Sequence, residues 1–269
     1  MSKLIPVSFT AALISIMALP AYAQDSASSI LRTPVDTSRR VSINWNTPPL
    51  KRVFPYKSFI LPAALVAYGV VSLHSDGLQD INENIKEELY TERTNQHKIQ
   101  ADNYLQFGPA IAVYGLNAIG IKGKNNFRDR SMIYGMSELL MTATVFTVKK
   151  ITGETRPDGS DKYSFPSGHT ASAFVAAEFM RQEYKDVSPW YGVAGYAMAA
   201  ATGYLRMYNN KHWLSDVVAG AGVGIMSTKL VYWIYPVLKR KLFKDKDVTT
   251  MVMPTYQDGA IGLGLVHHF

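Results

Sequence analysis

The chain has 269 residues, of which 47% are apolar and 18% charged, with a net charge of +7 and a mean hydropathy of −0.03. That length supports one large domain with a sizeable core, and the charge content is below the quarter usual for soluble domains. The modest positive balance favours anionic partners, but no basic stripe with interleaved aromatics is present, so nucleic acid is not an expected partner. The absence of cysteine excludes disulfides, thiol catalysis, cysteine-bound zinc and an acylated lipoprotein N-terminus.

Taken in chain order, Lys3 precedes the apolar stretch "LIPVSFTAALISIMALP", and "AYA" follows at 21–23. A short charged region, an apolar region and a small-x-small site predict a signal peptide over 1–23, cut after Ala23. Residues 24–57 are rich in Ser, Thr, Pro and Arg without periodicity, which predicts a flexible leader. Segment 58–75 reads as an apolar helix. In 76–102, Leu78, Ile81, Ile85 and Leu89 recur at helical spacing and predict an amphipathic helix. Further helices are expected at 103–121, 131–150, 169–184, 188–207 and 212–236, punctuated by Pro157, Pro166 and Pro189. Gly220 and Gly224, four apart, would let a neighbouring helix come close. At the end, "VTTMVMPTY" and "AIGLGLVHHF" flank "QDG", so 248–269 reads as a hairpin packed on the helical body. The fold class is therefore all-α with a short C-terminal β-hairpin, and no internal repeat is visible.

Three uncharged stretches reach the roughly 18 residues that make a membrane span plausible: 58–73 with its flanks, 104–121 and 187–205. The other helices carry Glu138, Glu178, Arg181 and Lys229 mid-segment. Charges at a bilayer centre cost roughly 2.5–3.5 kcal/mol each, so these helices are either shielded or do not cross.

Three clusters fall at predicted helix ends: "KKITGETRP" with Lys149 and Arg156, "PSGH" with Ser167, Gly168 and His169, and "LRMYNNKHWLSD" with Arg206, His212 and Asp216. Each alone suits an ordinary structural role. Cations suit a helix C-terminus, a Ser-Gly turn suits an N-cap, and an i, i+4 His–Asp pair suits one helix face. Together they form a set able to transfer a phosphoryl group. Two guanidinium groups and an ammonium can bracket a tetrahedral anion. Backbone N–H groups at Ser167 and Gly168 would open a helix, an anion-binding position, where Gly168 leaves room for close approach. One imidazole can attack phosphorus, a second can protonate the leaving oxygen, and Asp216 can hold the attacking ring in one tautomer. The set needs no metal and no cofactor.

These clusters resemble the signature of the type 2 phosphatidic acid phosphatase superfamily, which also holds bacterial class A acid phosphatases and vanadium haloperoxidases. Lys149 to Arg156-Pro157 is similar to its Lys-x6-Arg-Pro motif. Pro166 to His169 matches Pro-Ser-Gly-His, and Arg206, His212 and Asp216 match the third motif in spacing. Leu205 stands where that third motif has Ser. The resemblance covers 149–216 closely and the flanking helices loosely. It implies a bundle of about six core helices over 58–247. It implies His212 as the nucleophile forming a phosphohistidine, Asp216 as its orienting acid and His169 as the general acid. Lys149, Arg156, Ser167, Gly168 and Arg206 would bind the phosphoryl group.

The expected function is an envelope lipid-phosphate phosphatase. The substrate would be lipid A, an isoprenoid diphosphate, phosphatidylglycerophosphate or phosphatidate, met at a membrane surface. A soluble periplasmic acid phosphatase acting on small phosphomonoesters is the alternative, and a vanadium haloperoxidase a third reading. The expected place is the bacterial cell envelope, facing the periplasm and membrane-associated. If 58–75, 104–121 and 131–150 all cross, however, Lys149 would fall on the cytoplasmic side, so either one of these segments does not span or the protein is peripheral.

Overall fold

The structure is a computed structural model. It describes residues 53–243, and in addition the backbone of 250–257 and 260–267. The signal-peptide expectation and nearly all of the leader lie outside the described residues.

Eight α-helices carry the described chain: α1 (Ile60–Ser72), α2 (Asp76–Lys86), α3 (Asp102–Leu105), α4 (Gly108–Ala118), α5 (Phe127–Thr152), α6 (Gly168–Tyr184), α7 (Pro189–Tyr208) and α8 (Leu214–Phe243). Tyr56–Phe59 is a single 3-10 turn, held because Phe54 stacks on Phe59 at 4.8 Å and meets Trp233 of α8 edge-on at 5.1 Å.

The helix α6 is the centre of the bundle, with α4, α5, α7 and α8 around it. Its sequence explains this. Ala171, Ala173, Ala176 and Ala177 are small enough to admit helices on several sides, and Val175 and Phe179 fill the remaining space without exposed surface. Met141 and Val145 of α5 and Val223 of α8 pack on one flank. Val113 of α4 with Met180 and Tyr184 forms another, and Ala199 of α7 meets Ala173 and Ala177 on a third. The expected close approach at Gly220 and Gly224 is real. A Cβ on Gly220 would lie 2.6 Å from Ser167 O, and one on Gly224 would lie 2.3 Å from Ala171 O. These positions press α8 onto the first half of α6, while α1 packs on the other side of α8.

Two helical expectations are corrected. The amphipathic helix of 76–102 stops sooner: α2 passes into a π-helical turn at Glu87–Thr91, and the chain then runs irregularly to Asp102. The helix expected at 103–121 breaks into α3 and α4, because Pro109 in the first turn of α4 disfavours continuous helix before it.

The span expectation changes accordingly. Helix α1 has 13 residues and α4 only 11, about 20 Å and 17 Å at 1.5 Å per residue, short of a bilayer core of roughly 30 Å. Among the described residues, the helices long and apolar enough to cross are Phe127–Thr152 and Leu214–Lys241, with a third crossing if Tyr56–Ser72 and Asp76–Thr91, bent by 94°, count as one.

The charges that seemed costly in these helices are shielded by pairing inside the bundle. Glu178, fully buried on α6, accepts from Arg181 Nε at 2.7 Å and Nη2 at 2.6 Å, from Gln182 at 2.9 Å and from the Tyr196 hydroxyl of α7. Lys229 of α8 lies 3.2 Å away. Glu138 of α5 accepts from Ser172 Oγ at 3.0 Å.

At the far end of the sequence, Thr250–Gln257 and Ala260–His267 pair antiparallel, with Thr250 opposite His267 and Gln257 opposite Ala260.

Candidate functional site

The directions of the four long helices put one end of the bundle to use. The C-termini of α5 and α7 and the N-termini of α6 and α8 lie together there, each followed or preceded by one of the three sequence clusters. Lys149 sits in the last turn of α5. Ser167 caps α6, its Oγ accepting from Thr170 N at 3.4 Å and from Thr170 Oγ1 at 2.9 Å. Gly168 opens that helix, and a Cβ there would meet only Val145 Cγ1 at an ordinary 3.8 Å. Packing therefore does not require glycine at 168. Arg206 lies in the last turn of α7. Asn210 then adopts φ 57, which turns the chain so that His212 precedes α8 and Asp216 falls in its first turn.

His212 and Asp216 are both buried, at 3% and 0% exposure. His212 Nδ1 is 3.3 Å from Asp216 Oδ2. That oxygen also accepts from Trp213 N at 2.9 Å and from the Ser164 hydroxyl. Ser164 Oγ lies 3.4 Å from His212 Nδ1 as well. Asp216 O accepts from Ser167 N at 3.0 Å, so the "PSGH" turn is fastened to α8 directly. A carboxylate facing Nδ1 favours the tautomer with hydrogen on that nitrogen, which leaves the Nε2 lone pair available.

The cations surround this pair. Burial holds the His212 imidazole well below its usual pKa, and the positive charges of Arg206, Lys149 and Arg156 add to that, with His169 contributing too. All four groups are thus near enough to act on His212. His169, half-buried in the first turn of α6, is lowered to about 4, first by burial, then by Arg206, against the opposing charge of Asp102; Arg156 and Lys149 lower it further.

Each cation has a protein partner that aims it. Lys149 Nζ donates to the backbone carbonyl of Ser164 at 3.0 Å and to that of Tyr163. Arg156 Nε donates to Asp161 Oδ1 at 2.8 Å and Nη1 to Lys211 O at 3.4 Å. Arg206 Nη1 donates to Asp102 Oδ2 at 2.7 Å, and its buried Nε has no partner. Asp216 Oδ1 is a second buried polar atom without one. A buried polar atom without a partner is costly, and two such atoms on paired charges here mark a place arranged for something other than stability.

All eight residues singled out in the sequence meet at this end of the bundle. Three further residues were not foreseen. Ser164 lies just outside the "PSGH" motif and has no sequence signal beyond a polar residue beside Phe165. Asp102 and Asn103, on the short α3, reach the site from 66 and more residues upstream: Asn103 Oδ1 is 3.0 Å from His169 Nε2. Among the described residues, no group of three or more His, Cys, Asp or Glu side chains is placed to hold a metal ion. The arrangement can hold a tetrahedral dianion among three cations, present a nucleophilic ring nitrogen to it and supply a proton from a second ring.

A family model described as the PAP2 superfamily matches residues 130–240. The chain is 36% identical over 261 residues to the lipid A 1-phosphatase of Porphyromonas gingivalis. That match covers 94% of this chain but 55% of the relative, so the chain spans about half the relative's length. Two crystal structures also match. One is the LpxE of Aquifex aeolicus, at 19% identity and a TM-score of 0.43, covering 56% of this chain and 94% of that one. The other is a transmembrane PAP2-type phosphatidylglycerolphosphate phosphatase from Bacillus subtilis, at 20% identity and a TM-score of 0.45, covering 67% and 98%.

Proposed function

Because the chain belongs to the PAP2 superfamily, we propose that it is a metal-independent lipid-phosphate phosphatase of the bacterial envelope, working through a phosphohistidine on His212. The observation that carries this reading is the convergence of Lys149, Arg156 and Arg206 on a buried His212–Asp216 pair.

The reaction runs in two displacements. The Nε2 lone pair of His212 attacks phosphorus while Asp216 stabilises the positive ring. The bond from phosphorus to the lipid oxygen breaks, and that oxygen takes a proton from His169. Neutral His169 then removes a proton from water, whose oxygen attacks phosphorus. Phosphate leaves and His212 is restored. Lys149, Arg156 and Arg206, with the N–H group at Gly168, hold the charge that develops on the phosphoryl oxygens, whereas the Ser167 N–H expected to join them is donated to Asp216 O.

A phosphate on lipid A is the substrate best supported. The relative that matches nearly all of this chain is a lipid A 1-phosphatase. A lipid substrate also suits the exposed apolar surface of α5, where Leu139, Phe146 and Ile151 are 71%, 61% and 78% exposed. We read α5 and α8 as membrane crossings. We place the site end of these helices on the periplasmic side. Basic residues at the opposite end of the bundle, Lys122, Lys124, Arg128, Lys239, Arg240 and Lys241, support the same orientation. The reading of 248–269 as a hairpin belongs to this proposal too, supported by the backbone pairing of Thr250–Gln257 with Ala260–His267.

The test is phosphate release from a panel of lipid A, phosphatidylglycerophosphate, phosphatidate and water-soluble phosphomonoesters, with chelator present and with vanadate added as a phosphate mimic. Chelator-resistant, vanadate-sensitive release from lipid A above the soluble esters is expected. Release from soluble esters alone would favour a periplasmic acid phosphatase instead.

A further inference from the structure

The segment between α2 and α4 has no part in the three sequence clusters, yet it delivers two side chains to them. The short helix α3 is anchored to α7 through Asp102, 1% exposed, which accepts from Arg206 Nη1. Gln106 Nε2 returns to Asn103 O at 2.8 Å and Asn103 N donates to Gln100 O at 3.2 Å, which fixes the backbone at 103. The side chain of Asn103 thereby reaches His169, with Oδ1 3.0 Å from Nε2. Among the described residues no protein group hydrogen-bonds His169 Nδ1.

We propose that Asn103 is a positioning residue for His169: its side-chain oxygen accepts the Nε2 hydrogen, so the ring's transferable proton is confined to Nδ1. An amide oxygen can only accept, and an imidazole nitrogen facing it must carry hydrogen. The charged ring then has N–H on both nitrogens, gives up the Nδ1 proton to the leaving oxygen, and remains as the Nε2–H tautomer without turning. A ring free to flip would spend part of its time with the wrong nitrogen towards the leaving group. This inference rests on the reading of His169 as the general acid.

The charged groups that face His169 are Asp102 from α3, Arg206 from α7, Lys149 from α5, Arg156 from the loop between α5 and α6, and His212 before α8. Arg206, Lys149 and Arg156 oppose its protonation, so the bond to Asn103 supports the charged ring against them. Its loss and its strengthening should move the ring in opposite directions.

The experiment uses the full chain in detergent with nitrogen-15-labelled histidine, with His169 assigned through His169→Gln. The wild type is expected to show His169 as the Nε2–H tautomer. Asn103→Leu, close in shape, should lose that preference and titrate at lower pH. Asn103→Asp, which places a carboxylate in the same position, should titrate at higher pH. In turnover, Asn103→Leu should lower kcat about 10-fold with KM changed less than about 2-fold, the pattern of a proton-transfer defect. Its basic limb should move down in pH, and that of Asn103→Asp up. Tyr104→Ala, whose 79% exposed side chain is next in sequence, controls for disturbance of α3 and should match wild type. An unchanged tautomer in Asn103→Leu, or both variants shifting the same way, overturns the inference. If the wild type releases no phosphate from any substrate, the reading of function fails, while the nitrogen-15 spectra still decide whether Asn103 holds the ring.

Discussion

The hydroxyl of Ser164 donates to the same Asp216 oxygen that faces His212 Nδ1. A buried carboxylate is costly unless its lone pairs are engaged, and Ser164 together with Trp213 N engages this oxygen. The Ser164→Ala variant should therefore weaken the hold of Asp216 on His212. A hydrogen bond to a charged group contributes roughly 1.5–3 kcal/mol. We expect kcat to fall about 10-fold with KM little changed; kinetics on a short-chain lipid phosphate would measure it. A variant with wild-type kcat would remove Ser164 from the account.

Arg206 is the cation on which both the anion site and α3 depend. Arg206→Ala should lower kcat at least ~100-fold, by analogy with loss of a single oxyanion donor. Arg206→Lys should recover only part, because an ammonium cannot serve Asp102 and a phosphoryl oxygen with one planar fork. Steady-state rates of the two variants side by side would show this.

Acid should destabilise the fold through its two site histidines. His169 is lowered from 6.5 to about 4, and His212 is pushed down as well. The unfolded chain thus takes up protons near pH 6.5 that the folded chain refuses, so stability present above about 6.5 is lost as pH falls towards about 4. Thermal melts from pH 7.5 to 4.5 should show a declining Tm, shallower in His169→Gln. Vanadate, a bound anion favouring the charged rings, should flatten the decline.

The Glu178 network predicts a large and specific stability effect. Glu178→Ala leaves Arg181 and Lys229 without their shared carboxylate, and breaking a buried pair costs about 3–5 kcal/mol. The double variant Glu178→Met, Lys229→Met should lose less than the single. Denaturant unfolding in detergent would compare them.

Close helix contact should also be sensitive. A Cβ at Gly220 would fall 2.6 Å from Ser167 O. Gly220→Ala should thus push the N-terminus of α6 off α8, at roughly 1–3 kcal/mol for overpacking, with a loss of activity beyond the loss of stability. Gly77→Ala, in α2 where nothing lies within 4 Å, should leave activity unchanged and not lower stability. Melting curves and rates on the same samples would separate the two.

Much of this arrangement was legible in the sequence because it is written locally. Apolar periodicity located α5, α6, α7 and α8 to within a few residues at most ends, since those helices bury wide faces. The three clusters could be read because motif spacing carries chemistry independently of fold. What failed was continuity. The run at 103–121 looked like one helix because its composition is uniformly apolar, whereas Pro109 divides it. The sequence could not say whether the charges at 178, 181 and 229 were shielded, because their pairing joins α6 to α8 across some fifty residues, which periodicity does not encode. Asp102 and Asn103 escaped notice for the same reason: each is an ordinary polar residue between two helices, and only the tertiary fold brings it to Arg206 and His169.

The most direct measurement is acid-quick-neutralised trapping of the enzyme during turnover of radiolabelled lipid phosphate, followed by mapping of the labelled peptide. The account predicts an acid-labile, base-stable phosphoryl group on His212, absent from His212→Ala, which should also lack turnover. Label on any other residue, or a His212→Ala protein that still releases phosphate near the wild-type rate, would contradict it.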